Sequence, residues 1–301
     1  MKYLKRIIAA ALSAFMLAGC SAESTLNTVY DTLLSLQGTG DTAGNSAGKI
    51  SRDLSVYYLD VGQGDSEYIE LPDGKTMLID AGTSESGNDI ISFIQNKGTK
   101  KLDYVVATHP HADHIGSMAK VLQTFDIGQI YMPDASANTK TFEKMLDVIE
   151  EKNIPVKQAK AGVSIISGDK LSADIIAPNG TDYEELNDYS AVVKLNFNST
   201  SFLFMGDAEA LSEGEITNDV RCDVVKVGHH GSKTSSSQDF VNKTKAKYAI
   251  VSVGKDNSYG LPKDEILKRW ETAGAKVIRT DKEGTICFVS DGKKVERKNA
   301  K

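Results

Sequence analysis

The sequence predicts an α/β protein in which two β-sheets pack face to face and helices cover their outer sides. Segments of strand length occur in two blocks along the chain, and segments with the helical spacing of apolar residues lie between and after them. The chain of 301 residues is 40% hydrophobic and 25% charged, which is ordinary for a globular protein. We predict one folded domain, residues 53–295, which is long enough to bury one substantial core.

The first block combines strands with amphipathic helices. Strands are predicted at residues 54–60, 67–71, 76–80, 102–107 and 130–131. Helices are predicted at residues 90–96, 115–124 and 141–152. The turn Pro72–Lys75 contains Pro-Asp-Gly and joins the second and third strands as a hairpin.

The second block begins with strands and ends in strand–helix alternation. Four strands are predicted at residues 155–157, 171–176, 191–197 and 201–205. In the final third, strands are predicted at residues 223–227, 248–253, 276–279 and 285–289, with helices at 237–242 and 263–272. Strands in two blocks with helices between them suggest two sheets packed face to face with helices outside.

The N-terminus is typical of a bacterial lipoprotein. Residues 1–19 have a positive start and an apolar core too short to span a bilayer, so they are predicted to be a signal peptide. The lipobox Leu17–Cys20 predicts cleavage before Cys20 and a lipid on its thiol. Residues 20–52 are predicted to be a flexible tether, which places the domain on the extracytoplasmic face of the cell membrane. The alternative is an ordinary signal peptide with a chance cysteine.

Charge and cysteine content limit the classes of function. The net charge of −6 gives no whole-chain argument for a nucleic acid or an anionic membrane as partner. The stretch Lys226–Lys282, however, holds twelve Lys or Arg and six Asp or Glu, a local net charge of +6. After Cys20 only Cys222 and Cys287 remain, too few for a disulfide framework, and we expect both to be buried free thiols.

The most informative segment is Thr108–His114, which reads THPHADH and follows an apolar strand. His109 and His111 are two residues apart, so both imidazoles can turn toward one point at the end of an extended segment. Asp113 and His114 follow where a helix is expected and can serve a second point nearby. Imidazole and carboxylate groups are suited to divalent zinc.

Two further segments end predicted strands with residues that can bind metal. Asp207 follows a strand and a glycine, a position that suits a carboxylate bridging two metal ions; the alternative is a helix N-cap. His229 and His230 follow the next strand, and one of them would ligate a metal while the other contacts substrate or donates a proton. Ser232 offers a hydroxyl to an anionic oxygen.

Two aspartates at turns are candidates for orienting the histidines. Asp65 lies in a glycine-rich turn after the first strand, and Asp80 ends the third strand. Asp65 can hold a ligating histidine in place, and Asp80 can orient His109 or His111. The alternative for Asp65 is an ordinary hairpin turn.

These segments together resemble the metallo-β-lactamase-fold hydrolases, and more narrowly the secreted hydrolase domain of ComEC-type DNA-uptake channels and its stand-alone relatives. The matching strings are LDVGQGDS (59–66), LIDAG (78–82), THPHADHIG (108–116), NDYSAVVKL (187–195), FMGD (204–207), KVGHHGS (226–232) and SVGKDNSYGLP (252–262). The resemblance implies an αββα four-layer sandwich.

The resemblance also implies a site for two divalent metal ions, zinc or alternatively manganese. One metal would be bound by His109, His111 and Asp207. The other would be bound by Asp113, His114, Asp207 and one of the histidine pair, with His230 preferred as ligand and His229 as proton or substrate contact. A hydroxide bridging the metals would be the nucleophile, which Asp113 would help to orient.

The sequence departs from the family at two places. No histidine lies between His114 and His229, where the wider family has another ligand for the first metal. The segment containing Asn187, Asp188 and Ser190 occupies that region, so Asn187, Asp188 or water would complete the site. Leu261 stands where the ComEC-type branch commonly has a histidine near the substrate.

The predicted function is metal-dependent hydrolysis of a phosphodiester substrate, such as DNA, RNA or a teichoic acid. The basic stretch would attract a phosphate backbone; the alternative is that its charges lie on solvated helix faces, and no cluster of aromatic residues accompanies it. One alternative is a lactone or β-lactam hydrolase. Another is a non-catalytic lipoprotein that binds a ligand through a degraded site. No obligate protein partner is readable from the sequence.

Overall fold

The computed structural model describes residues 52–300. Its strands are, in chain order, β1 (Leu54–Tyr58), β2 (Glu67–Glu70), β3 (Thr76–Ile79), β4 (Lys101–Val106), β5 (Asp126–Met132), β6 (Val156–Gln158), β7 (Val163–Ile166), β8 (Leu171–Ala177), β9 (Val192–Phe197), β10 (Thr200–Phe204), β11 (Val224–Lys226), β12 (Tyr248–Val251), β13 (Lys276–Arg279), β14 (Ile286–Ser290) and β15 (Val295–Lys298). The predicted signal peptide and, apart from Arg52, the predicted tether lie outside these residues.

Eight helices accompany the strands in residues 52–300. They are α1 (Gly87–Asn96), α2 (Ala112–Ile115), α3 (Met118–Thr124), α4 (Lys140–Glu151), α5 (Ala210–Glu215), α6 (Gln238–Thr244), α7 (Asp264–Thr272) and α8 (Thr280–Glu283). Two 3₁₀ turns, Leu186–Tyr189 and Gly228–Gly231, lie next to the predicted site.

The strands form two sheets. The first has the order β15-β14-β1-β2-β3-β4-β5-β6, and the second has the order β13-β12-β11-β10-β9-β8-β7. Strands β3 to β6 run parallel, as do β10 to β13. Because parallel strands end at the same edge of a sheet, the loops after β3, β4, β10 and β11 can meet at one place.

Apolar side chains pack in three layers, which confirms the predicted αββα sandwich. Between the sheets, residues such as Val56, Val193 and Phe204 are fully or almost fully buried. The outer face of the first sheet packs against α1, α3 and α4 through residues that include Met145. The outer face of the second sheet packs against α6 and α7, where Trp270 is 1% exposed.

Several elements differ from the prediction. Strand β15 was missed because Val-Glu-Arg-Lys is polar and half exposed, as suits the edge of a sheet. Helix α5 was missed because its six residues include a glycine and two glutamates. The predicted helix 115–124 is instead two helices, α2 and α3, with Gly116 and Ser117 between them.

The two remaining cysteines agree with expectation, since Cys222 and Cys287 are both buried and free. Burial raises the pKa of the Cys222 thiol to about 12 and that of Cys287 to about 11, so both are unreactive near neutral pH. No helix within residues 52–300 is long and apolar enough to cross a membrane.

Candidate metal centre

The THPHADH segment lies where β4 ends and α2 begins. His111 is the N-cap of α2 in extended conformation, and Asp113 and His114 occupy its first turn. The loop before β2 packs tightly on this turn: the Asp65 N–H donates to the Asp113 carbonyl at 3.2 Å. Gly64 makes that approach possible, because a Cβ there would lie 2.2 Å from the Asp113 carbonyl oxygen.

Asp207 and the histidine pair come from the second sheet and meet the same point. Strands β10 and β11 are parallel, with Phe204 paired to Lys226, so the residues that follow each strand lie side by side. The backbone holds this arrangement through His229 N–H, which donates to the Gly206 carbonyl at 3.1 Å. His229 and His230 both have a left-handed backbone, with φ of 47° and 50°, a strained conformation that is concentrated at functional sites.

Four predicted ligands converge on one point. Asp113, His114, Asp207 and His230 each offer a ligand atom, and these atoms all lie within 4.8 Å of one another. His230 Nε2 lies 3.2 Å from Asp113 Oδ2 and 3.5 Å from Asp207 Oδ1, and His114 Nε2 lies 3.2 Å from the same Asp207 oxygen. The structure thus places His230, rather than His229, in this group.

The donor atoms of this group fit a divalent cation. His114 Nε2 and Asp207 Oδ1 are buried and make no hydrogen bond, although they lie 3.2 Å apart. A buried polar atom without a partner is costly, and a bound cation would satisfy both. Two imidazoles and two carboxylates are a ligand set suited to zinc or a related divalent metal.

Neighbouring groups fix the orientation of the ligating imidazoles. Asp80 Oδ2 accepts from His114 Nδ1 at 2.7 Å, so the lone pair of Nε2 faces the metal position. His230 Nδ1 donates to the Ser252 carbonyl at 2.9 Å and lies 3.3 Å from Asp65 Oδ1, which leaves its Nε2 free in the same way. Asp65 is in turn paired with fully buried Lys226, whose Nζ is 2.6 Å from Asp65 Oδ2.

Asp80 also acts on His109, through a threonine that sequence analysis did not single out. The Thr108 hydroxyl donates to Asp80 Oδ2 at 2.6 Å and is then free to accept from His109 Nδ1, 3.1 Å away. The Thr108 N–H donates to Asp80 Oδ1 at 2.8 Å. The sequence predicted that Asp80 orients His109 or His111; the structure shows direct contact with His114 and an indirect one with His109.

The carboxylates give this cluster a strong affinity for positive charge. Burial lowers the pKa of His230, but the carboxylates of Asp207 and Asp65 outweigh it and raise the pKa to about 10. Burial likewise opposes the charged form of His114, yet Asp207, Asp80 and Asp113 hold its pKa well above the usual value. Burial raises the pKa of Asp207, but the histidines, His114 first, bring it well below the ordinary range. A divalent cation would replace the protons that these histidines otherwise bind.

The residues predicted for the first metal, His109, His111 and Asp207, do not form a cluster as compact as the four ligands of the second metal. His109 Nε2 is 3.0 Å from His111 Nδ1 and 4.0 Å from Asp207 Oδ2. The two oxygens of Asp207 therefore face different groups: Oδ1 faces His114 and His230, and Oδ2 faces His109. That division is what a carboxylate bridging two metals requires.

Asn187, Asp188 and Ser190, which were predicted near the first metal, make different hydrogen bonds. Asp188 Oδ1 accepts from the backbone N–H groups of Glu209 and Ser212, both at 3.2 Å, so its carboxylate holds the start of α5. Asn187 Nδ2 donates to Glu209 Oε1 at 2.9 Å, and Ser190 Oγ accepts from the Asp207 N–H at 3.1 Å. Of the three, Ser190 also lies 3.4 Å from His109 Nδ1.

His229 approaches Asp207 at Oδ2, the same carboxylate oxygen that faces His109. Its Nδ1 lies 3.0 Å from Glu209 Oε1 and 2.9 Å from Thr234 Oγ1, and its Nε2 lies 3.8 Å from Asp207 Oδ2. Ser232 contacts this group through Thr234, with their hydroxyl oxygens 3.1 Å apart. Sequence analysis missed Glu209 and Thr234; their spacing, two residues after Asp207 and four after His230, was the available signal.

Comparison with known proteins identifies the class. The model of the Metallo-beta-lactamase superfamily matches residues 59–255, and the chain belongs to this family. ComE operon protein 3 of Bacillus subtilis (strain 168) is 30% identical over 259 residues, which cover 79% of this chain and 33% of that protein. Competence protein ComA of Neisseria gonorrhoeae is 26% identical over 241 residues, which cover 78% of this chain and 32% of that protein.

A solved structure shares the fold. The metallo-beta-lactamase fold protein YhfI from Bacillus subtilis aligns with a TM-score of 0.54 at 11% identity, over 79% of this chain and 100% of that one. This likeness concerns the fold alone. The chain spans about a third of the length of the two curated relatives above. The resemblance to the ComEC-type branch is confirmed by these matches, and the His and Asp groups of the site support the use of a divalent metal.

Proposed function

We propose that this protein is a metal-dependent phosphodiesterase that acts on a nucleic acid or a teichoic-acid-type polymer. The observation that carries the proposal is the convergence of Asp113, His114, Asp207 and His230 on one point. The Asp113 side chain is 32% exposed while the other three are almost fully buried, so the point is open to substrate on one side.

The geometry supports the following roles for the residues. Asp113, His114, Asp207 and His230 would hold a divalent cation, which would supply a water of lowered pKa and polarise a phosphoryl oxygen. Asp207 would give one oxygen to each half of the site, His109 and His111 would complete the first half, and Asp113 would orient the attacking oxygen from its open side. His229, held at Nδ1 by Glu209, keeps Nε2 facing the site, where it can pass a proton to the departing oxygen.

The positive charge of residues 226–282 favours an anionic phosphodiester as substrate over a neutral molecule. The stretch Lys226–Lys282, which includes the histidine pair, has a net charge of +6. Lys233 and Lys255, in the segments after His230 and β12, are both exposed, while Lys226 is buried against Asp65 and Lys233 pairs with Glu265 at 3.1 Å. An excess of positive charge in the segments that follow the histidine pair would favour capture of a polyanion from solution. The name of the gonococcal relative, a competence protein, is compatible with a nucleic acid substrate.

A substrate panel tests the proposal. The metal-loaded full-length chain is incubated with bis-p-nitrophenyl phosphate, a single-stranded oligonucleotide, a teichoic acid, a chromogenic β-lactam and a lactone. We expect turnover of phosphodiesters only, and its loss with a chelator or with Asp113→Asn. Turnover of the β-lactam or lactone alone would assign a different bond type. Metal binding with no turnover of any substrate would favour a ligand-binding lipoprotein.

Zinc is the metal we propose for both positions, with manganese as the alternative. Histidine nitrogens make up about half of the donor set, which suits zinc better than the all-oxygen sites of magnesium or calcium. Elemental analysis of protein purified without added metal tests this choice, and a manganese-loaded protein with higher phosphodiester turnover would reverse it.

We also propose that the protein is anchored on the extracytoplasmic membrane face through a lipid on Cys20. Fractionation of cells that produce Cys20→Ala tests this directly, since the variant should leave the membrane fraction. A variant that stays with the membrane would contradict the anchor.

A further inference from the structure

Lys226, the last residue of β11, is fully buried and points into the space between the two sheets. Val224, two residues earlier, packs in the core between the sheets, and alternation along a strand puts Lys226 on the same face. Phe204 and Ile250, its neighbours on the two adjacent strands, belong to the same core. A lysine is almost never fully buried unless its charge is paired, so its partners decide what it does there.

The Lys226 ammonium joins the first sheet to the segment that carries the histidine pair. Its Nζ lies 2.6 Å from Oδ2 of Asp65, in the loop between β1 and β2 of the first sheet. The same Nζ donates to the Val227 carbonyl at 2.8 Å, and Val227 is the N-cap of the turn Gly228–Gly231. One side chain therefore ties a loop of the first sheet to the start of the left-handed histidine turn on the second.

Asp65 extends this contact to ligands from both sheets. Its Oδ1 lies 3.3 Å from Nδ1 of His230, which follows β11. Its N–H donates at 3.2 Å to the carbonyl of Asp113, which follows β4. A carboxylate at one nitrogen of an imidazole fixes the ring so that the other nitrogen faces the metal. The position of Asp65 therefore helps to set the position of His230 Nε2.

The charged groups that face Lys226 keep its ammonium positive. Burial lowers the pKa of Lys226, but the carboxylates of Asp65, Glu67 and Asp207 outweigh burial and raise it. Burial and the neighbouring Asp65 raise the pKa of Glu67 well above its usual value, so Glu67 holds its proton to higher pH than an ordinary glutamate. Asp65 is therefore the principal partner of the Lys226 charge.

We propose that Lys226 is a positioning residue of the metal centre, which holds Asp65 against His230 and thereby raises the affinity of the site for a divalent cation. The inference goes beyond the proposed function, because it concerns how the site is assembled and not which bond is cleaved. The positive charge of Lys226 by itself repels a metal ion, so the proposal requires that the fixing of Asp65 outweighs this repulsion.

The zinc affinity of a set of variants tests this role. The metal-free full-length chain is titrated with zinc in competition with a chromophoric chelator, for the parent, Lys226→Met, Asp65→Asn and the double variant. Methionine has nearly the length of lysine but neither its charge nor its donors. Lys194→Met is the matched control, because Lys194 is also buried in the second sheet, beside Leu203 of the outer layer. Thermal unfolding without metal measures the stability of each variant.

We expect Lys226→Met to raise the zinc Kd about 10- to 100-fold, the usual effect of losing a group that orients a ligand. Asp65→Asn should also raise it. The double variant should bind zinc no more weakly than the weaker of the two single variants, because both substitutions break the same contact. Lys194→Met should stay within about twofold of the parent, even where it lowers thermal stability.

Three results would overturn the inference. They are a zinc Kd in Lys226→Met equal to or lower than that of the parent, an equal loss of affinity in Lys194→Met, and full multiplication of the two single effects in the double variant. Loss of one partner of a buried ion pair can unfold a protein. If Lys226→Met does not fold, Lys226→Gln takes its place with the same expected and contradicting results, because glutamine is neutral and shorter than lysine.

Turnover of bis-p-nitrophenyl phosphate, measured separately, distinguishes this inference from the proposed function. If the parent has turnover and Lys226→Met binds zinc as the parent does, the positioning role fails and the phosphodiesterase stands. If Lys226→Met weakens zinc binding but the parent has no turnover, the positioning role stands and the phosphodiesterase fails. A parent chain that binds no zinc would overturn both.

Discussion

The adjacent residues His229 and His230 face different oxygens of Asp207, Oδ2 and Oδ1 respectively, and their surroundings support different roles. His230 is 1% exposed, and its Nε2 belongs to the group that can bind metal. His229 is partly exposed, and its Nδ1 is held by Glu209 and Thr234. The sequence alone left the choice open because it depends on the left-handed turn at these two residues.

Single substitutions separate the two roles. We expect His230→Ala to lower bound metal and turnover together, because it removes a ligand. His229→Ala should retain metal but lower turnover by about 10²- to 10⁴-fold, the usual effect of losing a general acid or base. Elemental analysis and phosphodiester turnover measure both. Loss of metal in His229→Ala with retention in His230→Ala would exchange the two assignments.

The protonation of the ligating histidines makes metal affinity depend on pH. Burial lowers the pKa of His114 and His230, but the carboxylates around them outweigh it and raise the pKa of both, that of His230 to about 10, so both hold a second proton to higher pH than an ordinary histidine. A cation must displace these protons, and its affinity should therefore rise with pH, on the order of tenfold per unit for each proton displaced.

Calorimetric titration with zinc in two buffers of different ionisation enthalpy counts the released protons. We expect more than one per chain at neutral pH, and fewer for His230→Ala. A titration without proton release, with affinity independent of pH, would contradict the electrostatic description of the site.

At the scale of elements, sequence pattern predicted buried strands well and polar edges poorly. Strands β4, β11 and β12 were predicted because most of their residues are apolar and buried, as is usual for strands covered on both faces. Strand β15 and helix α5 were missed because few of their side chains point into a core. The ligands end apolar strands, which is why they could be found. Glu209 is brought to His229 by the parallel register of β10 and β11, whereas Thr234 contacts His229 from five residues further along the same segment.

Helix α7 holds the outer layer of the second sheet through Trp270. The indole is 1% exposed, and its Nε1 donates to Ser236 Oγ at 3.2 Å. We expect Trp270→Ala to lower the free energy of unfolding by about 3–5 kcal/mol, the usual effect of emptying a large aromatic site.

Lys268→Ala is the matched control, since Lys268 is exposed on the same helix. It should change the free energy of unfolding by less than about 0.5 kcal/mol. Urea unfolding at a fixed metal concentration measures both. Equal effects of the two substitutions would show that this layer does not depend on the packing of Trp270.

At the scale of the whole molecule, the metal centre joins the two sheets. His109, His111, Asp113 and His114 follow β4 of the first sheet, and Asp207 and His230 follow β10 and β11 of the second. The sandwich was predictable from two blocks of strands, and the family from its motifs. The meeting of the two sets of ligands was not visible in the pattern itself, because it depends on how one sheet lies on the other.

The most direct test of this account is the metal content of the purified full-length chain, measured together with turnover of bis-p-nitrophenyl phosphate, for the parent and for Asp207→Asn. We predict about two metal ions per chain with turnover in the parent. Asp207→Asn should lose both metal and turnover, because each of its oxygens serves one half of the site. A parent chain that binds no metal after reconstitution, or a variant that keeps two metals and full turnover, would contradict the account.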